Sequence, residues 1–137
     1  MKVKGRKMTS RLWFLSLVLL LGLCLQPALG QEDLFQKGKV IYETEGNCVD
    51  CHRLNGKGLP GTYPALDGDP FVTGKPGPVI ATVLNGRKGD LGEMPSWKDK
   101  LDDQQVAVVV TYIRHAWSNQ APAVSPALVA EIRKKAK

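Results

Sequence analysis

Five consecutive residues, Cys48-Val49-Asp50-Cys51-His52, constrain this chain more than any other stretch. Two thiols with two residues between them can each add across one of two neighbouring vinyl groups on a porphyrin. An imidazole directly after the second thiol then lies under the ring, with Nε2 able to bind iron. The pattern reads as the attachment site of a c-type haem. Other chemistries use similar thiols. A thioredoxin-like pair would follow a strand in a βαβ unit, but the residues before Cys48 have a helical period. A zinc site needs four ligands; His115 would have to join Cys48, Cys51 and His52, and the direction of His52 conflicts with that of Cys51. A disulfide across two intervening residues is small and strained.

The N-terminus supplies the compartment. Lys2, Lys4, Arg6, Lys7 and Arg11 form a positive region without an acid, and Leu12–Leu25 is an apolar run of 14 residues. Ala28 and Gly30 then give small residues at a cleavage site. Residues 1–30 are expected to be a secretory signal peptide, with the mature chain starting at Gln31. The alternative is an uncleaved anchor facing the periplasm, although the run falls short of the ~20 residues a spanning helix wants. A lipoprotein site at Cys24 is a third option, poorly matched by Leu23. Removing residues 1–30 lowers the formal charge from +6 to +1, so the basic balance is mostly a targeting signal and does not call for a nucleic-acid partner. Four of the remaining basic residues, Arg133, Lys134, Lys135 and Lys137, lie in the last five positions, an arrangement expected of a solvated end. Cys24 leaves with the signal, and in an oxidising compartment Cys48 and Cys51 must be bridged or otherwise occupied.

Along the mature chain, the spacing of Leu34, Phe35, Gly38, Ile41 and Tyr42 predicts a helix from about Leu34 to Thr44, capped by Asp33 and stopped near Gly46. Gly38 inside it costs ~1 kcal/mol against alanine, which implies close approach of another helix. From Leu54 to Pro70, glycines and prolines forbid regular structure over most of the stretch, and a loop wrapped around a large cofactor fits. Pro78 to Asn85 is a short helix stopped by Gly86, and Arg87 to Glu93 is a loop. Asp102 and Gln105 resemble a capping box for a helix from Asp103 to about Trp117, with Val106, Val109, Val110, Ile113 and Trp117 as its apolar stripe. Ser125-Pro126 opens a short tail helix. Three units follow: a signal peptide (1–30), the main domain (31–119) and a C-terminal extension (120–137).

A six-coordinate haem needs a ligand opposite His52. The mature chain contains one methionine, Met94, beside Pro95 in a loop between two helices. A thioether on the iron raises the reduction potential, which suits electron transfer. The rival is His115, near the end of the last long helix, where a solvated histidine is the simpler account. The other ring nitrogen of His52 needs an acceptor, and a backbone carbonyl in the Pro60–Pro64 loop is the natural one.

With these motifs in order, the sequence resembles the class I cytochromes c over about Leu34 to Trp117. Gly38-x-x-x-Tyr42 resembles the family's first-helix glycine and aromatic, over which Val109 and Tyr112 of the last helix would pack. Cys48-x-x-Cys51-His52 matches the attachment site. Pro64-Ala65-Leu66-x-Gly68 resembles the loop whose proline carbonyl receives the histidine N–H, and Met94-Pro95 matches the distal ligand loop. Asn55-Gly56-x-Gly58-x-Pro60-Gly61-x-Tyr63-Pro64, Met94-Pro95-x-Trp97 and Tyr112-Ile113-Arg114-x-x-Trp117 are similar to a bacterial subgroup. It contains monohaem carriers and cytochrome subunits of periplasmic dehydrogenases, reductases and oxidases.

The resemblance implies an all-α fold, about three core helices and long loops around one covalently bound haem c with one edge exposed, plus the tail helix. It implies Cys48 and Cys51 as attachment points, His52 and Met94 as iron ligands, and Pro64 as the acceptor for His52. The implied function is one-electron transfer between redox partner proteins in the periplasm, as a monomeric carrier rather than an enzyme or as a fixed subunit of a larger complex. Membrane contact would arise through an uncleaved N-terminus. A haem enzyme or gas sensor would instead require Met94 to be off the iron.

Overall fold

A computed structural model describes residues 28–89 and 92–136; the expected signal segment therefore lies outside the described residues except at its last positions. Helix α1 is Ala28–Glu43, α2 Cys48–His52, α3 Pro70–Thr73, α4 Pro76–Asn85, α5 Asp103–His115 and α6 Pro126–Lys135. Between α4 and α5 lies a two-stranded antiparallel ladder, β1 (Arg87–Lys88) and β2 (Glu93–Met94), pairing Arg87 with Met94 and Lys88 with Glu93. The fold is all-α with this one small ladder among the described residues. Residues from Glu32 onward pack as one compact unit.

α1 begins six residues ahead of the expected Leu34. Asp33 does not cap it; its carboxylate pairs with Lys37 one turn on, 2.7 Å away, while Gln36 donates to Glu32. Such i,i+4 pairs favour continuing a helix through this stretch. The buried face is the expected one, with Ile41 and Tyr42 in the core. At Gly38 the helix meets α5 so closely that a β-carbon there would lie 2.1 Å from the Val108 carbonyl oxygen and 2.7 Å from Tyr112 Cβ. Val108, rather than the expected Val109, sits over the glycine together with Tyr112. Val109 turns one position further round α5 and is buried in the core.

α5 starts with the complete capping box: Asp102 accepts from the Gln105 backbone N–H, and the Gln105 side chain accepts from that of Asp102. It stops at His115, two residues short of the expected end; Ala116 leaves the helical conformation and Trp117 has φ 57°. The expected single apolar stripe proves too narrow. Every residue from Val106 to Arg114 is buried, because the chain after α5 returns over its other side. Ala121, Val124 and Val129 all join the interior, and the Thr111 hydroxyl receives the Val124 N–H.

α6 opens at Ser125, whose side chain accepts from the Leu128 N–H, with Pro126 in its first turn. The basic end is not uniformly solvated. Lys134 and Lys135 are exposed, but Arg133 reaches inward to Asp103 and to the carbonyls of Lys98 and Leu101. α4 starts two residues before the expected Pro78, with Pro76 supplying the first-turn proline, and buries Val79, Ile80, Val83 and Leu84. α3 has no counterpart in the sequence reading, although Asp69 caps it by accepting from the Phe71 N–H and Pro70 occupies its first turn.

Candidate functional site

The two thiols and the imidazole occupy consecutive turns of α2, a five-residue helix entered from Asn47 at φ 47° and left at Arg53 at φ 65°. Both boundaries are left-handed non-glycine residues, an arrangement that persists where surrounding contacts over-determine it. Those contacts are visible. The Tyr42 hydroxyl donates to the Arg53 carbonyl at 2.7 Å, and the Trp117 indole N–H donates to the Leu54 carbonyl at 2.9 Å. Tyr42, Tyr112 and Trp117 pack against one another in tilted and edge-to-face contacts, with ring centroids 5.3–5.8 Å apart. The α1–α5 crossing thus grips the backbone directly after His52.

His52 is buried, and its Nδ1 lies 3.0 Å from the Pro64 carbonyl oxygen. A carbonyl only accepts, so Nδ1 carries the proton and Nε2 keeps its lone pair for a metal. Burial pushes the imidazole pKa down, and the Pro64 contact partly opposes that shift. Cys48 and Cys51 are unbridged and half-buried. Burial pushes the Cys48 thiol up to about 12, so this thiol stays protonated at neutral pH.

Pro64 belongs to a wrapped loop with several anchors. Leu59 and Tyr63 form a single bridge, and Leu66 N–H donates to the Gly56 carbonyl. Asn119 accepts from the Gly68 N–H at 2.9 Å and donates to the Leu66 and Ile113 carbonyls at 2.9 and 2.7 Å. Asn119 escaped the sequence reading. A polar residue just past a helix normally reads as solvated, and no periodicity marks it.

Met94 is half-buried against the core and is fixed by its backbone. It pairs with Arg87 across the β1–β2 ladder, within a stretch expected to be loop. Beyond Pro95, the Trp97 and Lys98 N–H groups donate to the Val83 and Leu84 carbonyls, and the Ser96 hydroxyl donates to Leu84 as well. The open C-terminal carbonyls of α4 therefore hang the Met94 segment in place. This segment also meets the Pro64 loop, since a β-carbon on Gly92 would lie 2.8 Å from Tyr63 Cε1. His115 is exposed on the far end of α5, edge-on to Phe35. Among the described residues no three His, Cys, Asp or Glu side chains gather as a metal cluster, which leaves the zinc alternative without ligands there.

The family described as "Cytochrome C oxidase, cbb3-type, subunit III" matches residues 33–113, more than half of the chain. The chain belongs to this family of class I c-type cytochromes. The c-type cytochrome is 37% identical over 117 residues to the gluconate 2-dehydrogenase cytochrome c subunit of Pantoea cypripedii, across 78% of this chain and 26% of that protein. It is 34% identical over 95 residues to the cytochrome c subunit of the quinone-type alcohol dehydrogenase of Gluconacetobacter polyoxogenes, across 63% of this chain and 20% of that one. With cytochrome c-552 of Thermus thermophilus it shares 33% identity over 104 residues, 67% of this chain and 65% of the other. The cytochrome thus spans about a quarter of one dehydrogenase subunit and a fifth of the other.

Its cofactor is haem c. The donor set of the cytochrome fits that group. Two unbridged thiols and an imidazole with a free Nε2 share one short helix, and Leu66, Met94 and Trp97 stand half-buried at the edge of the core.

Proposed function

We propose that this chain is an exported monohaem electron carrier in which Cys48 and Cys51 would hold the haem through thioether bonds and His52 and Met94 would bind its iron. The observation that carries the reading is the 3.0 Å contact from His52 Nδ1 to the Pro64 carbonyl, which fixes the tautomer and frees Nε2. Haem c, when bound, would supply an iron able to take up and release one electron. The protein's part is to hold those ligands still. Pro64 and the Tyr42 and Trp117 tethers orient His52. The ladder and the α4 carbonyls hold Met94, so little rearrangement accompanies electron transfer. Donor and acceptor are redox proteins. With a mature formal charge near +1, docking depends on apolar contact more than on steering, and rates fall only modestly with salt. The proposed site of action is the periplasm. No helix among the described residues is long and apolar enough to cross a membrane.

A second reading is favoured by the dehydrogenase relatives, each named as a cytochrome c subunit of an enzyme. In that reading the chain is the fixed electron-accepting part of a larger periplasmic complex.

Spectra of the oxidised, haem-loaded protein before and after Met94→Ala test the ligand assignment. The wild type is expected to show the weak red absorption band of thioether–iron ligation, and the variant to lose it. Ready binding of carbon monoxide to the reduced wild type would overturn the carrier reading in favour of an open-site haem protein. Native molecular size separates the two carrier readings, since isolation as a stable complex excludes the free shuttle.

A further inference from the structure

The segment carrying Met94 is held from two sides. On one side are the α4 carbonyls already described. On the other is α6, a tail helix that the resemblance to cytochromes c leaves without a role. Arg133 of α6 reaches the backbone that follows Met94 with two donors and the first turn of α5 with a third. Arg133 Nη1 donates to the Lys98 carbonyl, and Nη2 donates to the Leu101 carbonyl at 2.8 Å. Arg133 Nε donates to the Asp103 carboxylate at 2.7 Å. In the return direction, Lys98 Nζ donates to the Ala136 carbonyl at 2.5 Å. The helix itself is seated by Val129, fully buried, and by Ile132, whose Cδ1 would lie 3.8 Å from a β-carbon on Gly77 at the start of α4.

One guanidinium therefore ties together the end of the Met94 segment and the first turn of α5. Arg133 suits this position physically. Its planar fork presents donors in three directions, so two carbonyls and a carboxylate are served at once, which an ammonium on a flexible stem cannot match. Asp103 lies in the first turn of α5, where its negative charge is favoured, so the anchor on which Arg133 pulls is itself fixed.

We propose that Arg133 is a positioning residue for Met94. By clamping Lys98 and Leu101 to α5, it restricts the excursions of the 94–101 segment that would take the thioether away from the iron. The inference rests on Met94 being the distal ligand. It predicts that loosening the clamp favours exogenous ligands on ferric haem even where the fold is intact.

The test is imidazole titration of the ferric, haem-loaded protein, read by loss of the thioether–iron band, alongside denaturant unfolding of the same samples. Arg133→Ala is expected to raise imidazole affinity roughly tenfold, the scale of losing charge-assisted hydrogen bonds that restrain the segment. Arg133→Lys, which keeps the charge but not the fork, is expected to fall between Arg133→Ala and wild type. It also keeps the experiment decisive should Arg133→Ala fail to fold. Lys134→Ala, on the exposed side of α6, is expected to match wild type. Absence of the band from the wild type would refute the Met94 assignment itself. A band present in wild type, with unchanged imidazole affinity in both Arg133 variants and a lowered unfolding midpoint, would refute the positioning role and leave Arg133 a merely structural contact.

Discussion

The crossing at Gly38 offers the sharpest test of the fold, because two effects of opposite sign act there. In an isolated helix, Gly38→Ala is stabilising by about 1 kcal/mol, the difference in helix propensity. In this protein the added β-carbon would stand 2.1 Å from the Val108 carbonyl oxygen, 2.8 Å from its carbon and 2.7 Å from Tyr112 Cβ. Close carbon–oxygen contacts lie near 3.3 Å, so α1 and α5 must separate by about 1 Å. The nearest atom is backbone in the middle of a buried helix, so no rotamer change relieves the clash. Overpacking of this kind costs about 1–3 kcal/mol. A gap of ~1 Å along the rest of the seam also forfeits up to about half of each dispersion contact. Taking the upper end, the net loss is about 2 kcal/mol, or roughly 10 °C in Tm for a domain of this size. Denaturant unfolding of the haem-loaded protein, followed by far-ultraviolet circular dichroism, measures it. An alanine variant as stable as wild type, or stabilised by the propensity gain, would refute the idea that the helices touch at this point.

Other contacts yield further expectations. Asn119→Ala removes one acceptor and two donors at a site that is 3% exposed, leaving the Leu66 and Ile113 carbonyls short of a partner. It should cost about 2–3 kcal/mol in denaturant unfolding, and a loss below ~0.5 kcal/mol would count against the described network. Asp67 accepts from the Ser118 hydroxyl and backbone N–H, and these bonds hold its carboxyl below its ordinary value of 3.8. Because the folded pKa is the lower one, its contribution is fully present above about pH 4–5 and fades as pH falls through the depressed value. Wild type compared with Asp67→Asn should therefore show a constant stability difference at neutral pH that changes below about pH 4. A difference independent of pH down to ~3 would contradict this.

The features legible in the sequence are those encoded over a few neighbouring positions. The Asp102/Gln105 box, the Ser125-Pro126 start and the Gly86 stop are local chemistry, and each helix end lies where such residues put it. Gly38 was legible because a glycine in a helix is unfavourable unless something needs its space. Backbone-to-backbone matching was not legible. The Met94–Arg87 ladder depends on paired main-chain groups that any side chains could flank. Arg114 is the clearest case. At the end of an apolar stripe a guanidinium reads as solvated, yet it is 2% exposed and donates to the Val72 and Gly74 carbonyls at 2.6 and 2.8 Å. Its charge meets the open C-terminal end of α3, a helix the sequence reading did not include. Burial of the whole of α5 was hidden for the same reason, since a stripe reports one covered face and not the later segment that covers the second.

The Trp117 tether carries a consequence for the order of assembly. Its indole meets the Leu54 carbonyl across 63 residues of chain, and Gly38 meets Val108 and Tyr112 across a comparable distance. Closing so long a loop is entropically costly until both ends are present. During synthesis, the Cys48–His52 stretch therefore emerges before the residues that enclose it. The thiols therefore stand on an open strand for an interval, before the tryptophan arrives and shuts the door behind the histidine.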